Sequence, residues 1–160
     1  MAKTFKILTL NKISTVGLNR LPAANYIVGS EITEPDAILV RSQNMLEMDI
    51  PASVKAIARA GAGTNNVPVK KMNLRGVPVF NAAGANANAV KELVIAGMLL
   101  ASRNMIAALH FTANLKGDDA TLHKLVEDGK KHYAGIELRG RTLGIIGLGA
   151  IGRLVADAAI

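Results

Sequence analysis

Six residues near the end of the chain, Gly147-Leu148-Gly149-Ala150-Ile151-Gly152, carry its densest chemical signal. Their spacing, G-x-G-x-x-G, suits a backbone that must approach a pyrophosphate. Gly147 allows a tight turn. Gly149 leaves the main chain bare for an anion, and Gly152 lets a helix pack closely on the preceding strand. The helix N-terminus offers unpaired N–H groups and partial positive charge, worth roughly 0.3–1 kcal/mol to an anion. Three glycines near a turn can also be only a turn, so the flanks decide. Residues 143–146 read as a short buried strand, and residues 153–160 as a helix with Leu154, Val155, Ala158 and Ala159 on one side. Strand, glycine turn and helix in that order favour a dinucleotide site.

Such a site needs more chain than follows. An Asp or Glu about 20 residues further on takes the ribose hydroxyls in folds of this kind, and the sequence stops at Ile160. A helix shorter than about 12–15 residues is marginal by itself in water. The expectation is therefore a fragment of a longer protein.

Composition narrows the class. The chain has 160 residues, 50% hydrophobic and 3% aromatic, so Val, Ile, Leu and Ala must build the core. That suits an α/β protein with a parallel sheet. No cysteine is present, which removes disulfides and thiol chemistry and fits a cytoplasmic protein. The apolar run near the N-terminus is too short for a signal peptide, and residues 93–101 supply about half of a membrane span. The net charge of +7 invites a nucleic-acid reading, but the basic residues are scattered and no aromatic residues interleave with them to stack bases. Small anionic molecules are the better match; neither nucleic acid nor a membrane is expected as a partner.

The elements behind the glycine motif alternate as a parallel sheet requires. Strands are expected at 6–10, 26–28, 37–40, 55–60 and 78–81, with short helices within 11–21 and 67–74. The second and third strands are separated only by residues 29–36, short for a parallel crossover, so the second strand is expected at an edge or in another pairing. From Ala89 the pattern is helical and apolar nearly all round, predicting a helix buried on most sides, with Asn86 or Asn88 as its cap. A second helix follows over 106–115. A third, polar and exposed, spans 120–130 behind Asp118-Asp119.

Four ordered blocks then become informative together: ILVRS (38–42), IARAGAGTNNVPV (57–69), GVPVFNAAGANANAVKELVIAGMLLASR (76–103) and LRGRTLGIIGLGAIG (138–152). They resemble the D-2-hydroxyacid dehydrogenase family, and within it the branch that oxidises 3-phospho-D-glycerate in serine biosynthesis. The resemblance is good over residues 37–160 and looser before. It implies a flavodoxin-like substrate-binding domain over 1–96, then connecting helices and the truncated start of a Rossmann NAD-binding domain over 97–160. It also implies hydride transfer between NAD and the C2 carbon of a small anionic 2-hydroxy or 2-oxo acid, in a homo-oligomer when full length.

By the same resemblance, Arg41 and Ser42 match an Arg-Ser pair that meets the substrate's anionic groups, a task suited to the bidentate guanidinium fork. Arg59, Ala60 and Gly61 match a loop that cradles the substrate carboxylate with backbone N–H groups. Ala150 and Ile151 join Gly147, Gly149 and Gly152 on the cofactor pyrophosphate. Ala82 stands where some relatives place a threonine near the cofactor, and Lys91 where a small residue is usual. The family's catalytic Arg, Glu and His fall after the glycine motif, so none is expected here. His110, His123 and His132 read as surface residues. A non-catalytic nucleotide-sensing or interaction module is the alternative, or an enzyme for glyoxylate, hydroxypyruvate or lactate. Apolar surface on the helices of residues 93–113 would favour partner binding or aggregation.

Overall fold

The computed structural model describes residues 4–160. The chain divides into two compact units, one ending at Asn86 and one running from Ala87 to Ile160. The division falls ahead of a long helix, where the sequence had suggested 96/97, inside it.

The first unit is a five-stranded parallel sheet: β1 (Phe5–Leu10), β2 (Tyr26–Gly29), β3 (Ala37–Val40), β4 (Ala56–Arg59) and β5 (Val79–Asn81), in the order β2-β1-β3-β4-β5. This is the flavodoxin-like order. Two short helices accompany it, α1 (Thr15–Leu18) and α2 (Val69–Leu74). β2 lies at the edge, as its short link to β3 suggested. Strands of four residues let so short a link step across β1, since an extended residue covers about 3.3 Å. Asp36 ties the start of the sheet together. Its carboxylate accepts from the Lys6 N–H at 3.0 Å and from Lys55 Nζ at 2.8 Å.

Ile38, Val40 and Ile57 are buried in the sheet, and Met45, Val54 and Met72 close over them. β-branched side chains suit a pleated surface covered by neighbours, and the result is one continuous apolar cluster.

The second unit is helical: α3 (Ala87–Ser102), α4 (Met105–Ala113), α5 (Asp119–Gly129), a 3-10 turn (Lys130–Tyr133) and α6 (Ala150–Ala158). Asp118 caps α5, its carboxylate accepting from the Thr121 N–H at 2.9 Å. Phe111 on α4 stacks on Tyr133, with ring centroids 5.1 Å apart.

Two expectations fail in this unit. α3 is not buried on most sides: of its residues only Ala87 is buried, and Leu93 is 72% exposed. α6 packs on it, but one short helix cannot cover a cylinder that is apolar nearly all round. Residues 143–146 form no strand. A strand exists by exchanging hydrogen bonds with a neighbour, and among the described residues none runs beside this segment. No single helix among the described residues is long and apolar enough to cross a membrane.

Candidate functional site

The register of the sheet builds the first site. Leu10 pairs with Val40, Val40 with Arg59 and Arg59 with Asn81. All strands are parallel, so the residues that follow this row, Asn11, Arg41, Ala60 and Ala82, share the carboxyl edge. The chain leaves β1 in one direction to β2 and the other side of β1 is taken by β3. That reversal opens a crevice at the β1/β3 boundary, where open α/β sheets bind ligands. Asn11 and Arg41 stand on its two sides.

The structure brings Arg41, Ser42, Arg59, Ala60 and Gly61 together at this edge and commits some of their groups. Arg41 and Ser42 are exposed, and no hydrogen bond of the Arg41 guanidinium occurs among the described residues. Arg59 is half-buried, and its Nε donates to the Arg41 carbonyl at 3.1 Å. Its guanidinium lies over the loop that follows: a Cβ at Gly61 would meet Arg59 Nη1 at 2.7 Å, and one at Gly63 would meet it at 3.4 Å. A side chain at residue 61 would therefore displace the arginine.

The backbone donors of this loop are divided. The Ala60 N–H continues the sheet to the Val40 carbonyl at 2.8 Å, and the Gly61 N–H turns back to the Arg59 carbonyl at 2.9 Å. The next two N–H groups, Ala62 and Gly63, make no hydrogen bond among the described residues. Asn81 steadies the loop by donating Nδ2 to the Ala62 carbonyl at 2.6 Å. Ala82 belongs to this same edge; its N–H donates to the Gly61 carbonyl at 3.0 Å.

Three asparagines were missed from the sequence: Asn11, Asn66 and Asn81. Asn11 and Asn81 each end or follow a strand, and Asn11 adopts a left-handed φ of 66°, a conformation that asparagine tolerates better than most residues. An Asn directly after a predicted strand was the available signal.

The second site is the glycine motif, in the second unit. Gly147 has a φ of 91°, the left-handed region that an L side chain avoids. Gly152 faces the turn so closely that a Cβ there would overlap the Gly147 carbonyl oxygen. A Cβ at Gly149 would meet nothing within 4 Å, so this backbone is open to an approaching group. Gly149 stands at the cap position of α6, and Ala150 and Ile151 form its first turn. The motif thus keeps its turn and its open helix end without a strand before it. Its walls include Val94, Ile145 and Val155. His110, His123 and His132 are exposed, as the sequence indicated. The described residues hold no cluster of three or more His, Cys, Asp or Glu suited to a metal.

The model of the D-isomer specific 2-hydroxyacid dehydrogenase catalytic domain matches residues 11–152. The D-3-phosphoglycerate dehydrogenase of Methanocaldococcus jannaschii is 38% identical over 132 residues, which are 81% of this chain and 23% of that protein. The hydroxypyruvate reductase of Thermotoga maritima is 39% identical over 132 residues, 81% of this chain and 40% of that one. Among solved structures, apo D-mandelate dehydrogenase from Rhodotorula graminis superposes with a TM-score of 0.74 at 22% identity, over 98% of this chain and 52% of that one. The NAD+-bound 3-phosphoglycerate dehydrogenase of Entamoeba histolytica does so with a TM-score of 0.64 at 24% identity, over 98% and 50%. The chain thus spans about a quarter of the first curated relative and about half of these solved chains.

Proposed function

Because the chain belongs to the D-isomer specific 2-hydroxyacid dehydrogenase family, we propose that it is the N-terminal part of an NAD-dependent oxidoreductase. The enzyme would interconvert a small anionic 2-hydroxy acid and its 2-oxo acid. The substrate favoured is 3-phospho-D-glycerate, giving 3-phosphooxypyruvate for serine biosynthesis in the cytoplasm. The observation that carries this reading is the meeting of Arg41, Ser42 and the Arg59–Gly63 loop at the carboxyl edge of the sheet.

In this reading Arg41 grips one anionic group of the substrate through its guanidinium fork. The loop takes the other through the Ala62 and Gly63 N–H groups, with Arg59 lending positive charge above them. Two cationic side chains favour a substrate with a phosphate besides its carboxylate over glyoxylate or lactate. The glycine motif fits a pyrophosphate: an open backbone at Gly149, a left-handed turn at Gly147, and a helix end at Ala150 and Ile151 that offers N–H groups. NAD held there would supply the hydride acceptor. In this reading the acid–base step is assigned to none of the three exposed histidines. The apolar faces of α3 and α4 favour association with a second copy.

The test is oxidation of 3-phospho-D-glycerate with NAD by the protein isolated from its source cells, followed by NADH formation. Turnover that falls at least a hundredfold in Arg41→Ala supports the reading; a bidentate charged contact is worth about 3 kcal/mol. Turnover of glyoxylate but not of the phosphorylated acid would reassign the substrate. A protein that turns over neither acid would favour a nucleotide-binding interaction module.

A further inference from the structure

The segment Arg41-Ser42-Gln43 belongs to no helix or strand, yet side chains hold its backbone from two sides. From the end of β1, Asn11 accepts the Ser42 N–H on Oδ1 at 2.9 Å and accepts the Gln43 N–H on the same oxygen. Its Nδ2 lies 3.4 Å from Gln43 Oε1. From the loop after β4, Asn66 donates Nδ2 to the carbonyls of Arg41 at 3.3 Å and Gln43 at 2.8 Å. Two amides and two carbonyls of three consecutive residues are thus satisfied without a ladder. A loop ordered in advance loses less freedom when a ligand arrives.

The residue at position 11 must meet two demands at once. It must adopt a left-handed φ, and it must present an acceptor that two adjacent N–H groups can share. Asn and Asp meet both. Asp would also place a negative charge 2.9 Å from the Ser42 nitrogen, beside the arginine offered to an anion. Asn is the neutral solution.

We infer that Asn11 is a positioning residue for substrate binding: its carboxamide fixes the Arg41–Ser42 backbone at the β1/β3 crevice so that the Arg41 guanidinium meets an anionic 2-hydroxy acid in one geometry. This rests on the function proposed above. The Ser42 N–H is spent on Asn11 and its Oγ lies 3.5 Å from the same Oδ1, so Arg41 contributes its side chain while the Ala62–Gly63 stretch contributes its backbone.

The experiment compares the whole 160-residue chain with its Asn11→Gly, Asn11→Asp and Arg41→Ala variants. Glycine keeps the left-handed turn and removes the acceptor; aspartate keeps the acceptor and adds charge. Amide exchange at Ser42 and Gln43 reads the clamp, and titration with 3-phospho-D-glycerate reads the site. Asn11→Gly should lose protection at both amides and bind about tenfold more weakly. Asn11→Asp should keep that protection, bind more weakly at low salt, and recover as potassium chloride screens the charge. Asn11→Gly with both amides still protected overturns the clamp. Asn11→Gly with unprotected amides and unchanged affinity, where Arg41→Ala loses affinity, overturns the positioning role alone. A wild-type chain that binds no 3-phospho-D-glycerate overturns this inference together with the proposed function.

Discussion

The two units treat their apolar residues differently. In the first, Ile38 and Ile57 are fully buried and the sheet encloses a continuous core. In the second, Leu93, Ile106, Leu109 and Leu148 stand more than half exposed, and that continuous core cluster includes none of its residues. The first unit also leaves Val16, Leu74 and Phe80 exposed, but its paired strands supply one another's hydrogen bonds and close a core. A lone strand-turn-helix segment does not, because its strand needs neighbours. The carboxyl edge of the sheet therefore stands on a buried core, while the glycine motif rests on α6 and the turn before it.

The contrast can be broken most directly by truncating matched side chains. Ile57→Ala should cost about 2–5 kcal/mol of stability in denaturant titration, as buried aliphatic truncations do. Leu93→Ala, with little surface to lose, should stay within about 0.5 kcal/mol. Equal costs would mean that α3 is covered in solution.

Within the glycine motif a second pair sharpens the comparison. Gly152→Ala drives a Cβ into the Gly147 carbonyl and should cost about 1–3 kcal/mol, seen as lost amide protection over residues 150–158. Gly149→Ala enters open space and should leave that protection unchanged. Both variants retaining α6 would show that the close approach is not required.

Much of the first unit was legible because each of its strands agrees with its surroundings. AILV at 37–40 is a continuous apolar run between turn residues, and it is β3 with those bounds. The short link of β2 left an edge position or another pairing open, and the sheet order takes the edge. Arg41 and Ser42 were singled out through the blocks around them, and both follow β3 at the carboxyl edge. The side-chain clamp was not: an Asn after a strand marks the turn at Asn11, but the backbone groups that Asn11 and Asn66 meet lie across long sequence separations. The commitment of the Ala60 and Gly61 N–H groups also needed the sheet and turn to be in place. Residues 143–146 misled for the opposite reason. Their β-branched pattern reports a tendency to pair, and pairing needs a partner strand.

Cofactor affinity is expected to reflect the weaker unit. NADH should bind this chain no better than about millimolar, near 4 kcal/mol, since the motif offers one turn and one helix end. Micromolar binding by calorimetry would mean that the motif suffices without neighbouring strands.

The smallest effect expected is at α5. Hydrogen bonds from the Thr121 side chain and backbone hold the Asp118 carboxyl below its ordinary value. A lowered folded-state value means that the cap stabilises the helix start above the ordinary carboxylate range and is lost as pH falls through the folded value. Amide exchange at Thr121, followed over acidic pH, should accelerate there, and Asp118→Ala should show the fast rate at every pH. A pH-independent rate in the native chain would show that the cap does not hold in solution.

In the proposed function the carboxyl edge of the first unit receives an anionic 2-hydroxy acid. This is tested most directly by titrating the isotope-labelled chain with 3-phospho-D-glycerate and following each backbone amide by NMR. Saturable shifts are expected at Arg41, Ser42, Ala62 and Gly63, and they should disappear in Arg41→Ala. Saturable shifts confined to residues 147–153, or none at all, would contradict it.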